Sequence, residues 1–248
     1  MNTDGIKSVS RSETGLVRRD NQDSVLCLDH MAVFAVADGM GGGSDGALAS
    51  QMVCDELCRG VLAKEHPRRI DEIGVAVAAA NARILRHAKE HGFRMMGSTV
   101  ALLAVDDATL AHGAVCHVGD SRVYRVRGGA AEALTRDHSV GAELEREVGA
   151  APGSSFSSRA NPLSHILTRA VGTKENVSIE WREVDVAAGD RFVICSDGVH
   201  DVVEADVLGG IVAVGSLEGA ADSLAAKIVE CGAPDNYTFV IVEIGGAR

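Results

Sequence analysis

Three β-type runs, residues 98–105, 110–118 and 122–126, follow one another with breaks only around Asp106-Asp107 and at Gly119-Asp120-Ser121. Parallel neighbours need a crossover of a dozen or more residues, so runs this close together pair antiparallel. This argues against a doubly wound parallel sheet and predicts grouped antiparallel strands. Further runs of the same type lie at 6–13, 24–29, 31–37, 177–186, 191–195 and 237–244.

Helical periodicity appears between these groups. Ser44 or Asp45 is positioned to cap a helix with Ala49, Met52, Val53 and Leu57 on one face. After a break at His66-Pro67, Ile70, Ile73, Val77, Ala80 and Ile84 step by threes and fours through a second helix. A short helix is expected at 140–148. Another is capped by Ser216, with Leu217, Ala220, Leu224 and Ile228 inward. Residues 149–161, rich in Ser, Gly, Ala and Pro, read as an exposed mobile flap. No repeat or linker divides residues 1–248, so one α/β domain with grouped antiparallel strands is expected.

Composition narrows the function. The 248 residues are 46% hydrophobic, and 24 Lys plus Arg stand against 35 Asp plus Glu, a net charge of -11. Such a balance argues against general binding to nucleic acid or anionic membranes. The polar start and the lack of a long apolar run predict a cytoplasmic protein. Six scattered cysteines, Cys27, Cys54, Cys58, Cys116, Cys195 and Cys231, form no C-x-x-C pair and read as reduced, mostly buried thiols.

The chemistry lies in where aspartates fall. Asp38 precedes Gly39 after the run 31–37, Gly119 precedes Asp120, and Asp197 precedes Gly198 after the run 191–195. Asp235 precedes Asn236 and the final run, and Asp23 closes Asn21-Gln22-Asp23. Singly, Asp-Gly and Gly-Asp are ordinary turn dipeptides. Gathered at one end of a sheet, such carboxylates would repel one another unless cations bind. All-oxygen donors suit Mg²⁺ or Mn²⁺, and a two-metal site can clamp a phosphoryl group. Arg18, five residues before Asp23, supplies a planar cation suited to phosphate oxygens.

These segments resemble the metal-dependent, type 2C (PPM) family of serine/threonine protein phosphatases in its compact bacterial form. The blocks that carry the resemblance are residues 15–23, 36–42, 97–99, 117–122, 134–139, 167–172, 195–198 and 235–236, in family order along nearly the whole chain. The resemblance implies an α+β fold: a four-layer α-β-β-α sandwich, two antiparallel sheets flanked by helix pairs, with a flap at about 145–164. It implies that Asp38 bridges two Mg²⁺ or Mn²⁺ ions, that the Gly39 carbonyl ligates one, and that Asp197 and Asp235 ligate the other. Asp120, with Asp197, would hold a third, weaker ion, while Asp23, Gln22 and Asn236 support the ligands from outside. Arg18 would hold the substrate phosphate. The activity implied is hydrolysis of phosphoserine and phosphothreonine in proteins by a metal-bridging hydroxide, in a monomer opposing a Ser/Thr protein kinase.

Three positions depart from the family pattern. Gln22 replaces a usual Glu, so a negative supporting group becomes neutral and weaker metal binding is expected. Met40 stands where animal members carry a histidine proposed as general acid, and Gly43 removes another imidazole. His138 and His200, inside the motif blocks, are expected to be structural.

Rival readings fare worse. Residues 41–46 fit G-x-G-x-x-G, but Lys64-Glu65-His66-Pro67 leads into a second helix where a dinucleotide fold needs a parallel strand. Ser196 lacks the G-x-S-x-G frame of a nucleophile elbow, since Ile194 replaces the first glycine. The alternative of another class is a catalytically inactive phosphatase-like domain that binds phosphoproteins. Loss of metal aspartates would mark it, yet Asp38, Asp197 and Asp235 are present.

Overall fold

The computed structural model describes residues 5–42, 44–62, 70–93, 95–106, 110–150 and 161–245. Eleven strands among these form two antiparallel sheets. The first contains β1 (Ile6–Glu13), β7 (Arg122–Arg127), β8 (Ala130–Ala133), β10 (Arg191–Cys195) and β11 (Tyr237–Ile244), in the order β1-β11-β10-β7-β8. The second contains β2 (Asp23–Leu28), β3 (Val33–Gly41), β5 (Val100–Val105), β6 (His112–Val118) and β9 (Glu180–Asp185), in the order β2-β3-β5-β6-β9. Here β4 (Met96–Ser98) adds to β3.

Alternation along the strands sets the layers. In β3, Phe34 and Val36 turn toward the first sheet, whereas Val33, Ala35 and Ala37 turn toward α1 (Ser44–Leu62) and α2 (Ile70–His91). In β10, Phe192 and Ile194 meet the second sheet, while Val193 and Cys195 face outward. Their cover is α4 (Asp197–His200), α5 (Ala205–Val212) and α6 (Leu217–Glu230). The short α3 (Val140–Glu147), capped by the Ser139 hydroxyl, stands apart from these layers. Strands buried on both faces explain the unbroken apolar runs of the sequence. Each fully buried Phe among Phe34, Phe192 and Phe239 contributes roughly 1.5–3 kcal/mol. The result is the expected α-β-β-α sandwich.

Register then gathers the expected site at one end. Asp23 lies opposite Asp38 across β2 and β3, and Val100 opposite Val118. In the first sheet, Glu13 pairs with Tyr237 and Cys195 with both Phe239 and Arg122. The starts of β2, β5, β7 and β11 and the ends of β1, β3, β6 and β10 therefore share one rim. Both the 14–22 segment and Gly119-Asp120-Ser121 cross from one sheet to the other there.

Several local expectations change. The strand expected to end at Ala37 continues as β3 to Gly41, because Gly39, Met40 and Gly41 pair with Ser98, Gly97 and Met96 of β4. Helix α1 begins at Ser44, so the capping position falls on Gly43, outside the described residues. Strand β6 starts at His112, since Leu110 adopts a left-handed φ of 48°. Strands β4 and β8 and helices α4 and α5 were not anticipated. Pro67, the side chain of Ile70 and residues 151–160 of the expected flap lie outside the described residues. The flap's assigned first residue, Glu145, is buried within α3 and 3.3 Å from Arg136.

Candidate active site

Strand β3 delivers Asp38 by an interruption of its own ladder. Through Val36 it pairs with β5, and from Gly39 onward with β4. Between them, the Asp38 N–H donates to the Thr99 hydroxyl at 2.9 Å, while the Asp38 carbonyl accepts from the Thr99 N–H at 2.8 Å and the Ser98 hydroxyl at 3.0 Å. A side chain thus takes the place of a ladder carbonyl, satisfying the backbone where the strand changes partner. Asp38 shares the parity of Phe34 and Val36, so its carboxylate belongs to the space between the sheets.

Two glycines allow the close approaches that shape this rim. A Cβ on Gly39 would lie 2.0 Å from the Gly46 carbonyl oxygen of α1 and 2.6 Å from that of Gln22. One on Gly198 would lie 1.9 Å from the Asn236 oxygen. The Asp-Gly pairs, one within β3 and one opening α4, are therefore close-packing points where the sequence suggested turns.

Asn236 ties down the loop that carries Arg18. Its Oδ1 accepts from the Gln22 N–H at 2.9 Å, and its Nδ2 donates to the carbonyls of Thr14 and Asp20, each at 2.9 Å. The Leu16 N–H also donates to the Ala233 carbonyl at 2.9 Å. Arg18 is thereby brought to the rim, where its guanidinium donates to Asp235 Oδ2 at 2.6 Å and remains 57% exposed. A cleft of about 480 Å³ opens there, lined by Arg18, Gln22, Asp38, Gly39, Asp197, Asp235 and Asn236, with Arg19, Asp20, Met40 and Gly41.

The remaining two carboxylates sit behind the cleft. Asp23 accepts from the Ser196 hydroxyl at 2.8 Å, and that same hydroxyl accepts from the Thr238 N–H at 3.0 Å. Asp120 is buried, and its backbone carbonyl is 3.0 Å from His200 Nε2. Sequence reasoning assigned no role to Ser196 or Thr99. Their signals were a hydroxyl residue adjoining an apolar run and a place inside the blocks 97–99 and 195–198.

The electrostatics are those of crowded anions. Burial, then the charges of Asp197, Asp23 and Asp120, hold Asp38 well above the ordinary carboxylate range. Burial and then Asp197 raise Asp120 well above it too, and burial raises Asp197. Burial pushes Asp23 up to about 7 against the hydrogen bond from Ser196. Arg18 is held above its own range, chiefly by its hydrogen bond to Asp235. Arg18, with Arg19 also in the cleft wall, does not balance Asp20, Asp23, Asp38, Asp120, Asp197 and Asp235, so the donor set fits hard divalent cations.

A different set of metal-type donors proves structural. Ligand atoms of His117, His138 and Glu180 lie within 4.8 Å of one another. However, His138 Nδ1 accepts from the Gly119 N–H at 3.1 Å, which puts the ring proton on Nε2, facing Glu180 Oε2 at 3.2 Å. Burial and the adjacent His117 lower His138 to about 4, so it stays neutral. With both ring nitrogens engaged, His138 has no lone pair to offer a metal. His200 is likewise buried and bonded to backbone, as expected for a structural histidine.

Gln22 lies where its substitution is informative. A Cβ on Gly46, in the first turn of α1, would come 2.8 Å from the Gln22 carboxamide. A negative side chain there would be favoured by the helix N-terminus and by any divalent cation bound in the cleft. Gln22→Glu is expected to lower the Mn²⁺ concentration for half-saturation by about tenfold, the scale on which groups behind metal ligands act. Calorimetric Mn²⁺ titration reads this directly, and an unchanged affinity would remove Gln22 from the site.

Known proteins place the architecture. The protein phosphatase 2C family model matches residues 9–229. The serine/threonine protein phosphatase PstP of Mycobacterium tuberculosis is 30% identical over 243 residues, covering 96% of this chain. The chain spans 45% of that protein's length. The structure of PppA, a regulatory component of the type VI secretion system in Pseudomonas aeruginosa, superposes with a TM-score of 0.85 at 32% identity, covering 97% of this chain and 98% of PppA. The PstP catalytic domain in complex with two manganese ions superposes at 0.85 with 27% identity, covering 98% of this chain and 99% of that one. By its matched length, its fold and its ordered motifs, the chain belongs to the protein phosphatase 2C family.

Proposed function

We propose that this protein is a metal-dependent serine/threonine protein phosphatase, hydrolysing phosphoserine and phosphothreonine esters in proteins. The observation that carries the reading is the single cleft in which Asp38, Asp197 and Asp235 stand beside the Arg18 guanidinium. Asp38 and the Gly39 carbonyl would hold one divalent ion, and Asp38, Asp197 and Asp235 the second. Asp120 with Asp197 would hold a weaker third. Manganese in the PstP catalytic domain supports Mn²⁺, with Mg²⁺ of the same hard class. Ions bound there supply an activated water and neutralise charge on the phosphoryl oxygens.

The chain's own residues do the rest. Arg18 binds the phosphoryl oxygens and orients phosphorus for in-line attack, from a loop tethered by Asn236. Asp23, tethered by Ser196, orients water at the back of the cleft. Met40 borders the cleft and carries no exchangeable proton, so the leaving alkoxide takes its proton from water. The presence of all three principal aspartates favours turnover over an inactive phosphoprotein-binding domain.

The proposed partners are phosphorylated proteins and the Ser/Thr kinase that modifies them. The net charge of -11 argues against nucleic acid or anionic membranes as partners, and the proposed form is a cytoplasmic monomer. Among the described residues no helix is long and apolar enough to cross a membrane.

Hydrolysis of p-nitrophenyl phosphate with Mn²⁺, and its loss in EDTA, tests the activity. A folded, Mn²⁺-loaded protein that turns over neither this ester nor any phosphopeptide would overturn it. Arg18→Ala is expected to raise KM by about tenfold or more with a smaller effect on kcat, since it removes a charge-assisted hydrogen bond made already to bound substrate. An unchanged KM would take phosphate binding away from Arg18.

A further inference from the structure

A second depression, of about 780 Å³, adjoins the catalytic cleft, and Met40 lines both. Its walls are the C-terminal end of α2 and residues 167–174. One side is apolar and adaptable: Met40, Phe93, Met95 and Met96, of which Met95 is 73% exposed. Methionine's flexible, polarisable side chain suits surfaces that must fit varied partners.

The charges around it are one-sided. Lys89, Arg169 and Lys174 are the charged residues among its described lining, in a chain where acids outnumber bases by 35 to 24. The depression beside the other end of the second sheet is the reverse, with Asp106, Glu183 and Asp185 in its wall. Arg169 is also positioned from behind, 4.0 Å from Glu180, whose carboxylate accepts from His138. Its segment is fixed by the reciprocal backbone hydrogen bonds of Ser98 and Val171, at 2.9 and 2.8 Å.

Resting on the phosphatase reading, we infer that this groove receives the substrate polypeptide flanking the phosphorylated residue. It selects segments that place an anionic side chain, carboxylate or phosphate, beside an apolar one. A chain leaving the cleft across Met40 enters the groove directly. The apolar residue packs on the methionine wall and the anion meets Lys89, Arg169 and Lys174. Charge complementarity of this kind mainly sets specificity and encounter rate.

The test compares kcat/KM on phosphopeptides that differ only in the flank: Glu, a second phosphoserine, Ala or Lys. p-Nitrophenyl phosphate serves as a substrate too small to reach the groove. Wild type is expected to prefer both anionic flanks over Lys, with the preference shrinking as salt rises. The double variant Lys89→Glu/Lys174→Glu, at exposed positions, is expected to cut the preference for Glu over Ala by about fivefold, the scale of two rim charges reversed. A larger loss for phosphoserine than for Glu would identify phosphate as the preferred anion. Equal rates on all flanks in wild type, or the same fall on every substrate in the variant, would overturn the groove. Anisotropy titration of the labelled peptides against Asp38→Asn protein separates the two failures. Absent turnover with a retained anionic preference rejects the phosphatase reading alone, and flank-independent binding rejects the groove alone.

Discussion

Asp38→Asn is expected to lower kcat/KM on p-nitrophenyl phosphate with Mn²⁺ by on the order of a thousandfold, with a native circular dichroism spectrum. Asn is isosteric, and both backbone groups of residue 38 keep their partners in Ser98 and Thr99, so the strand crossover survives. What is lost is the negative charge assigned to both ions in the proposed centre. Removing one principal electrostatic group from a preorganised site costs about 10²–10³ in rate, and a shared ligand belongs at the upper end. The same loss is expected at Asp197, whereas Asp23→Asn should cost less because Asp23 stands behind the cleft on Ser196. Rates for Asp38→Asn within tenfold of wild type would sink the assignment.

The aspartates were legible because each sits at the boundary of an apolar run, and all but Asp23 adjoin a glycine or asparagine, a pattern local in sequence. Their convergence was not local. It depends on the register that sets Asp23 opposite Asp38 and Cys195 opposite Phe239, which only pairing across the sheets reveals. The layering was readable for a related reason, since strands covered on both faces give apolar runs without alternation. Elements with weak signals were missed. Strand β8 reads Ala-Ala-Glu-Ala, poor in β-formers, and α5 contains Gly209-Gly210, which lowers helix propensity. The basic groove was invisible for another reason: Met40, Lys89 and Arg169 lie far apart in the chain, and nothing local says that they share one surface.

Mn²⁺ is expected to raise the melting temperature of the metal-free protein, and to do so most at higher pH. Asp23, Asp38, Asp120 and Asp197 all have folded-state pKa values above the ordinary carboxylate range, Asp23 reaching about 7. A raised carboxylate favours folding fully below its unfolded pKa, and that contribution is lost as pH rises through the folded value. For Asp23 the loss runs from about pH 4 to about 7, so metal-free protein should weaken across that window relative to a chain lacking the crowding. Cations bound to the ionised site reverse the trend, since a ligand at a hundred times its Kd adds about 2.7 kcal/mol. For a chain of this length that is a rise of about 5–10 °C. In Asp38→Asn the Mn²⁺-induced rise should largely vanish. Its metal-free melting temperature should exceed that of wild type at pH 7.5, with the gap closing toward pH 5, because one charge has left the cluster. Scanning calorimetry of both proteins at the two pH values, with EDTA and with Mn²⁺, decides it. Parallel curves for wild type and variant would mean that the carboxylates neither repel one another nor bind the ion.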